Sequence, residues 1–269
     1  GPTDRRPRVV PFGASASGGV GRVACSDATI EALGWLRELL SAAGFTSASD
    51  YTGNLIARKA GTEPGLAPLM FGSHVDSVPG GGNYDGQVGS MSSVEVAATF
   101  AAAGIVTRHP LEIAIFSNEE GGKTGSRALA GEVEAFELDI ETASGLTIGE
   151  GLKRLGGDPD RLGDARRERG SLAAFLELHI EQGAVLDADG FHVEDRGFDL
   201  DLLQARADSV CELARLLTPA WLKPYADFAR RRRLALELRI GFVGLHGLVD
   251  ELPVRLRTGV IPPRGSVAT

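Results

Sequence analysis

Residues 71–89 read FGSHVDSVPGGGNYDGQVG, and their types can do metal chemistry. His74 and Asp76 stand one residue apart, and Asp85 follows a glycine run. Imidazole nitrogen and carboxylate oxygen are donors that Zn, Mn or Co accept. Asp76 is placed to hold the second ring nitrogen of His74, the usual partner of a metal-ligating imidazole. Glycines 80, 81, 82 and 86 let the backbone turn tightly enough to bring His74 and Asp85 onto one loop. Taken alone, the same stretch also reads as a strand followed by a Gly-rich turn with a surface histidine.

Two more stretches tip that balance. Leu69–Phe71, Leu111–Phe116 and Leu172–Ile180 are short apolar runs of the kind that form buried strands. The first leads to His74, the second into Ser117-Asn118-Glu119-Glu120, and the third ends on His179-Ile180-Glu181-Gln182. Each strand thus delivers His, Asp or Glu to its C-terminal end. In an open α/β sheet that edge is where ligands gather.

Stepping outward, Asp27–Ala43 has a helical face of Ile30, Leu33, Leu36 and Leu40, a cap at Ser26 or Asp27, and Gly44 as a stop. Asn54–Lys59 reads as a strand after the turn at 50–53. Ser90–Ala103 reads as a helix of small residues, Ser126–Leu129 as a short helix and Thr147–Leu155 as another. Arg161–Gly170 is charged and is expected to be exposed. Residues 1–21 read as irregular. Strands alternating with helices predict an α/β fold. In the tail, Asp201–Leu217 has helical spacing, and alternation from Leu234 to Phe242 predicts a strand.

The 269 residues carry 28 basic and 36 acidic side chains, for a net charge of −8. That balance argues against nucleic acid or an anionic membrane as the main partner. The run Arg230–Arg233 reads as a solvated face. Two cysteines are too few for a disulfide scaffold and suit a reducing, cytoplasmic compartment. No run approaches the length of a membrane span, and no secretory leader is expected in the sequence as read. His109 reads as a loop residue before Pro110, Asp187 and Asp189 as turn residues, and Cys25 as a small packing residue. His192 and His246 have no motif around them.

The runs GSHVDSVPGGGNYDGQVG, FSNEEGG and ELHIEQG, in that order, closely resemble the amidase/hydantoinase-carbamoylase family of dinuclear metallo-hydrolases. The resemblance covers about residues 18–190. It implies a three-layer, zinc-peptidase-like catalytic core over residues 22–190, preceded by an irregular segment at 1–21 and followed by a divergent tail at 191–269. It implies hydrolysis of a linear amide or ureido C–N bond, as in allantoate or N-carbamoyl amino acids. By resemblance Asp85 bridges two metals, His74 and His179 bind one, Glu120 binds the other, and Glu119 is the general base. Asp76 supports His74, and Gln182 lines the substrate site. Zn or Mn is the expected cofactor, with Co or Ni as alternatives. The family's lid and dimerisation domain, with its Asn-His-Ala-Gly motif, and its distal Gly-His-Asp ligand motif are not found in the tail. One metal is therefore expected to bind tightly and a second weakly. An inactive remnant and an aminoacylase or peptidase of the same clan are the competing readings.

Overall fold

The structure, a computed structural model, describes residues 11–16, 18–180 and 236–240, the last as a backbone trace. Helix α1 (Asp27–Ala42) starts where the Ser26 hydroxyl accepts the Thr29 N–H, and Gly44, at φ +82°, lies just beyond its C-cap. Strands β1 (Thr46–Ser49) and β2 (Leu55–Lys59) form a hairpin. Strand β3 (Leu69–His74), helix α2 (Gln87–Ala103) and strand β4 (Leu111–Phe116) make a parallel crossover unit. Helices α3 (Thr124–Ala130) and α4 (Ile148–Arg154) and 3-10 turns at Ala135–Asp139 and Pro159–Ala165 lead to β5 (Ala174–Ile180) and β6 (Leu236–Ile240).

The six strands form one sheet in the order β1-β2-β4-β3-β5-β6. Its centre, β4-β3-β5, is parallel, and the flanking pairs are antiparallel. Parallel strands point their C-terminal ends the same way, which explains why three acidic or imidazole-bearing segments meet at one edge.

The apolar runs are continuous because both faces of the sheet are covered. Leu69, Phe71, Leu111, Ile113, Ile115 and Leu176 pack with Leu36, Leu40, Val94 and Phe100 of α1 and α2. The alternate residues Met70, Ala114, Phe116 and Phe175 pack with Leu129 and Leu172 on the opposite side. Helices thus cover both faces, giving the three layers of an α/β fold. Among the described residues no helix is long and apolar enough to cross a membrane.

Several local expectations need correction. Strand β1, sequence TSAS, is too short and polar to signal itself, yet it pairs with β2 at the sheet edge. Helix α2 begins at Gln87, three residues early, because Gly86 at φ +64° turns the chain straight into it. The segment 161–170 is not uniformly exposed. Arg167 turns inward to Glu112 of β4 at 2.7 Å, and Arg58 reaches the same carboxylate at 3.0 Å. A buried carboxylate needs such partners to offset its lost hydration. His109 is buried, with Nδ1 donating to the Ala67 carbonyl at 2.7 Å, and so fastens the entry to β4. Cys25 packs inside as a free thiol, pushed up to about 11 chiefly by burial. The strand expected at 234–242 is β6, whereas the helix expected at 201–217 lies outside the described residues.

Candidate metal centre

Three chain segments deliver the centre. His74 is the last residue of β3, His179 is the penultimate residue of β5, and Asp85 stands two residues before α2. The ligand atoms of these three residues all lie within 4.8 Å of one another. His179 Nε2 is 3.2 Å and His74 Nε2 is 3.9 Å from Asp85 Oδ1. Gly86 is required for this approach: a Cβ there would lie 2.3 Å from His74 Nε2.

Both imidazoles are held the same way. His74 Nδ1 donates to the Asp76 main-chain carbonyl at 3.1 Å, and His179 Nδ1 donates to the Ile180 carbonyl at 2.8 Å. A carbonyl can only accept, so each Nδ1 carries the proton. Each Nε2 then faces Asp85, and once it holds no proton its lone pair is the one a metal ligand needs. The expected carboxylate of Asp76 is only the more distant neighbour of His74, at 3.5 Å. Its Oδ2 accepts the Glu120 N–H at 3.0 Å instead, tying the β3 end to the β4 loop.

Glu119 Oε2 lies 3.6 Å from His74 Nε2, on the side facing the cluster. Glu120 stands next to it, outside the three-residue group but close enough to feel the charges of His74 and Asp85. Burial pushes both glutamates above the usual carboxylate range, with His74 opposing it. For His74 itself burial favours the neutral ring. Asp76, followed by Glu119 and Asp85, outweighs it and pushes the imidazole up to about 10. Four carboxylates around two imidazoles make a site that calls for positive charge.

The loop carrying both glutamates is fastened by Asn54, which the sequence marks only as the start of a strand. Its Nδ2 donates to Asp50 Oδ2 at 2.8 Å and to the Gly125 carbonyl at 3.1 Å. Its Oδ1 accepts the Ser117 N–H at 2.9 Å. One buried amide therefore grips both ends of residues 117–125. Arg22 is equally hidden from sequence reasoning. It is fully buried, its guanidinium donates to the carbonyls of Val75 and Phe12, and its carbonyl accepts the Ser77 N–H. It thereby braces the turn that follows His74. Burial holds its guanidinium down to about 10, with Asp76 opposing. Gln182, His192 and His246 lie outside the described residues.

Two imidazole nitrogens and a carboxylate oxygen, each already oriented, fit a divalent cation with a water completing the shell. Fold and site together define an α/β protein with a cluster of candidate metal ligands at the carboxyl edge of the parallel centre of its sheet. Comparisons narrow the class. Peptidase family M28 matches residues 54–145. The chain is 41% identical over 186 residues to an N-carbamoyl-L-amino acid amidohydrolase of Geobacillus stearothermophilus, covering 67% of this chain and 46% of that protein. It is 33% identical over 207 residues to a ureidoglycolate hydrolase of Arabidopsis thaliana, covering 73% of this chain and 42% of that protein. The solved structure of a hydantoinase/carbamoylase family amidase from Burkholderia ambifaria matches with a TM-score of 0.59 and 37% identity, over 68% of this chain and 45% of that one. Over about two thirds of its length the chain is thus similar in sequence and fold to the hydantoinase/carbamoylase family of amidases. It spans about half the length of the curated relatives it matches.

Proposed function

We propose that the protein is a metal-dependent hydrolase of linear ureido or amide C–N bonds, of the N-carbamoyl amino acid or allantoate type, with residues 22–190 as its catalytic core. The observation that carries this reading is the meeting of His74, Asp85 and His179 with Glu119 at the edge of the sheet. Relatives at 41% and 36% identity bear the name N-carbamoyl-L-amino acid amidohydrolase, which supports the substrate class.

His74, His179 and Asp85 would hold one cation, and Glu120 with Asp85 a second. Zn suits the first set, and Mn competes better at the second because two carboxylates without an imidazole are hard ligands. When bound, a divalent cation polarises the carbonyl and lowers the pKa of water to about 7. Glu119 accepts the proton of the attacking water and passes it to the departing nitrogen. Burial, which pushes its carboxyl upward, suits a group that must take and then return a proton. The backbone bond from Glu120 to Asp76 keeps the base beside His74. Asp76 acts through that bond and through its carbonyl on the His74 ring, as a positioning group.

Ammonia or carbamate release from N-carbamoyl amino acids and allantoate tests the reading. Activity in the parent, lost in Glu119→Gln with metal content unchanged, is the expected result. Equal activity in the two proteins would place the base elsewhere. A peptidase or aminoacylase reading draws on the match to peptidase family M28 at 54–145. Turnover of peptides or N-acyl amino acids in preference to ureido compounds would favour it.

A further inference from the structure

Strand β3 is paired with β4 along its whole length, from Leu69–Leu111 to His74–Phe116. Its ladder with β5 stops early, at Phe71–Leu176. Strand β5 continues to Ile180 held on its far side by β6. A fork therefore opens between β3 and β5, and each prong carries a histidine of the candidate metal centre, His74 at the end of β3 and His179 one residue before the end of β5. The start of α2 enters the fork. A Cβ at Gly89 would lie 2.3 Å from the Leu178 carbonyl oxygen and 2.7 Å from Ser73 Cβ, and the Ser90 hydroxyl donates to the His74 carbonyl at 2.7 Å.

One side-chain bond spans the gap above the last backbone pair. The buried Ser73 hydroxyl donates to Glu177 Oε1 at 2.6 Å. Ser73 precedes His74 by one residue, and Glu177 precedes His179 by two. A hydroxyl bonded to a carboxylate at this distance is a strong, charge-assisted contact.

We propose that the Ser73–Glu177 bond is a strut that sets the separation of His74 and His179, making Ser73 and Glu177 positioning residues for the metal centre. The bond lies at the mouth of the fork, where no backbone pair limits how far the strands spread. The imidazole rings stand 6.2 Å apart, centroid to centroid, and a ligand set tolerates little change in that spacing. Glu177 itself is not among the three residues whose ligand atoms converge. The inference rests on the reading of the cluster as a metal site.

Two measurements on the full chain test it. Calorimetric titration of the metal-free protein with Zn should show affinity about tenfold or more weaker in Ser73→Ala and in Glu177→Ala, the scale at which supporting residues act on metal sites. Glu177→Gln keeps an oxygen acceptor for Ser73 and should retain most of the parent affinity. The double Ala variant should be no weaker than either single one, because one bond is lost in all three. NMR contacts between the two imidazole rings in the metal-free protein should persist in the parent and in Glu177→Gln, and fade in the Ala variants. Parent-like ring contacts in both Ala variants would overturn the strut, as would Glu177→Gln losing them as fully as Glu177→Ala. Should Ser73→Ala fail to fold, the Glu177→Gln and Glu177→Ala pair decides. A parent that binds no Zn but shows the ring contacts and their loss in the Ala variants would refute the metal reading and leave the strut standing.

Discussion

The junctions on the two sides of β3 are built differently. Towards β4 the strands are paired to the end, and the loop beyond, with Glu119 and Glu120, is gripped by Asn54. Towards β5 the pairing stops after three residues, and the gap is filled by the start of α2. The closed side holds the proposed base to a rigid frame. The open side admits Asp85 between two histidines. A sheet paired throughout leaves no room for a third ligand, and a sheet open on both sides has nothing to fix a base against.

The closed junction should be the costlier one to break. A Cβ at Gly72 would lie 1.8 Å from the Ala114 carbonyl oxygen, inside the β3–β4 pairing. Gly72→Ala is expected to destabilise the fold by about 3 kcal/mol or more, since neither central strand can move aside. Urea unfolding measures it, and an unchanged midpoint would mean that the junction is softer than its pairing implies.

At the open junction the same change should cost less. Gly89→Ala meets the Leu178 oxygen at 2.3 Å, but a helix end can shift where a central strand cannot. We expect about 2 kcal/mol of lost stability and Zn affinity about tenfold weaker. Calorimetry on the folded variant checks this, and parent-like Zn binding would show that α2 does not set the position of Asp85.

Asn54→Ala separates the two sides by function. It removes the amide that joins Asp50, Ser117 and Gly125, at a cost of about 1–2 kcal/mol. Hydrolysis should fall while Zn affinity at His74, Asp85 and His179 stays near the parent value. A parallel loss of both would make the amide a general support and not one that serves the glutamate loop.

pH acts on the same site through His74. With the surrounding carboxylates raising His74 to about 10 against the effect of burial, the metal-free folded protein is expected to hold a proton there at neutral pH. The stabilisation this gives is complete below the unfolded value of 6.5 and is lost as pH climbs through about 10. A cation must displace that proton, so Zn affinity should rise by about 1.4 kcal/mol per pH unit below 10. Titration at pH 7 in buffers of different ionisation enthalpy should report about one proton released per Zn. No release would mean that His74 is already neutral.

The apolar runs ending in His74, in Ser117-Asn118-Glu119-Glu120 and in His179 were legible because buried parallel strands leave a short, local hydrophobic signature. Gly86 was legible as a turn residue for a similar reason: conformational freedom belongs to the residue itself. The polar strand β1 has no such signature and exists because β2 offers it an edge. From its neighbours in the chain, Asp76 reads as the partner of the His74 ring. In the fold its carboxylate serves Glu120, 44 residues away, and its carbonyl takes the ring nitrogen. Arg22, Asn54 and Arg167 read as ordinary polar residues until the chain closes around them. Ser73 and Glu177 are 104 residues apart, and nothing local to either one marks the other as its partner. The chain's own pattern determined which residue types arrive at the edge of the sheet. Only the tertiary structure decided which of them touch and where β3 and β5 part, because those contacts arise between segments whose separation in sequence carries no local signal.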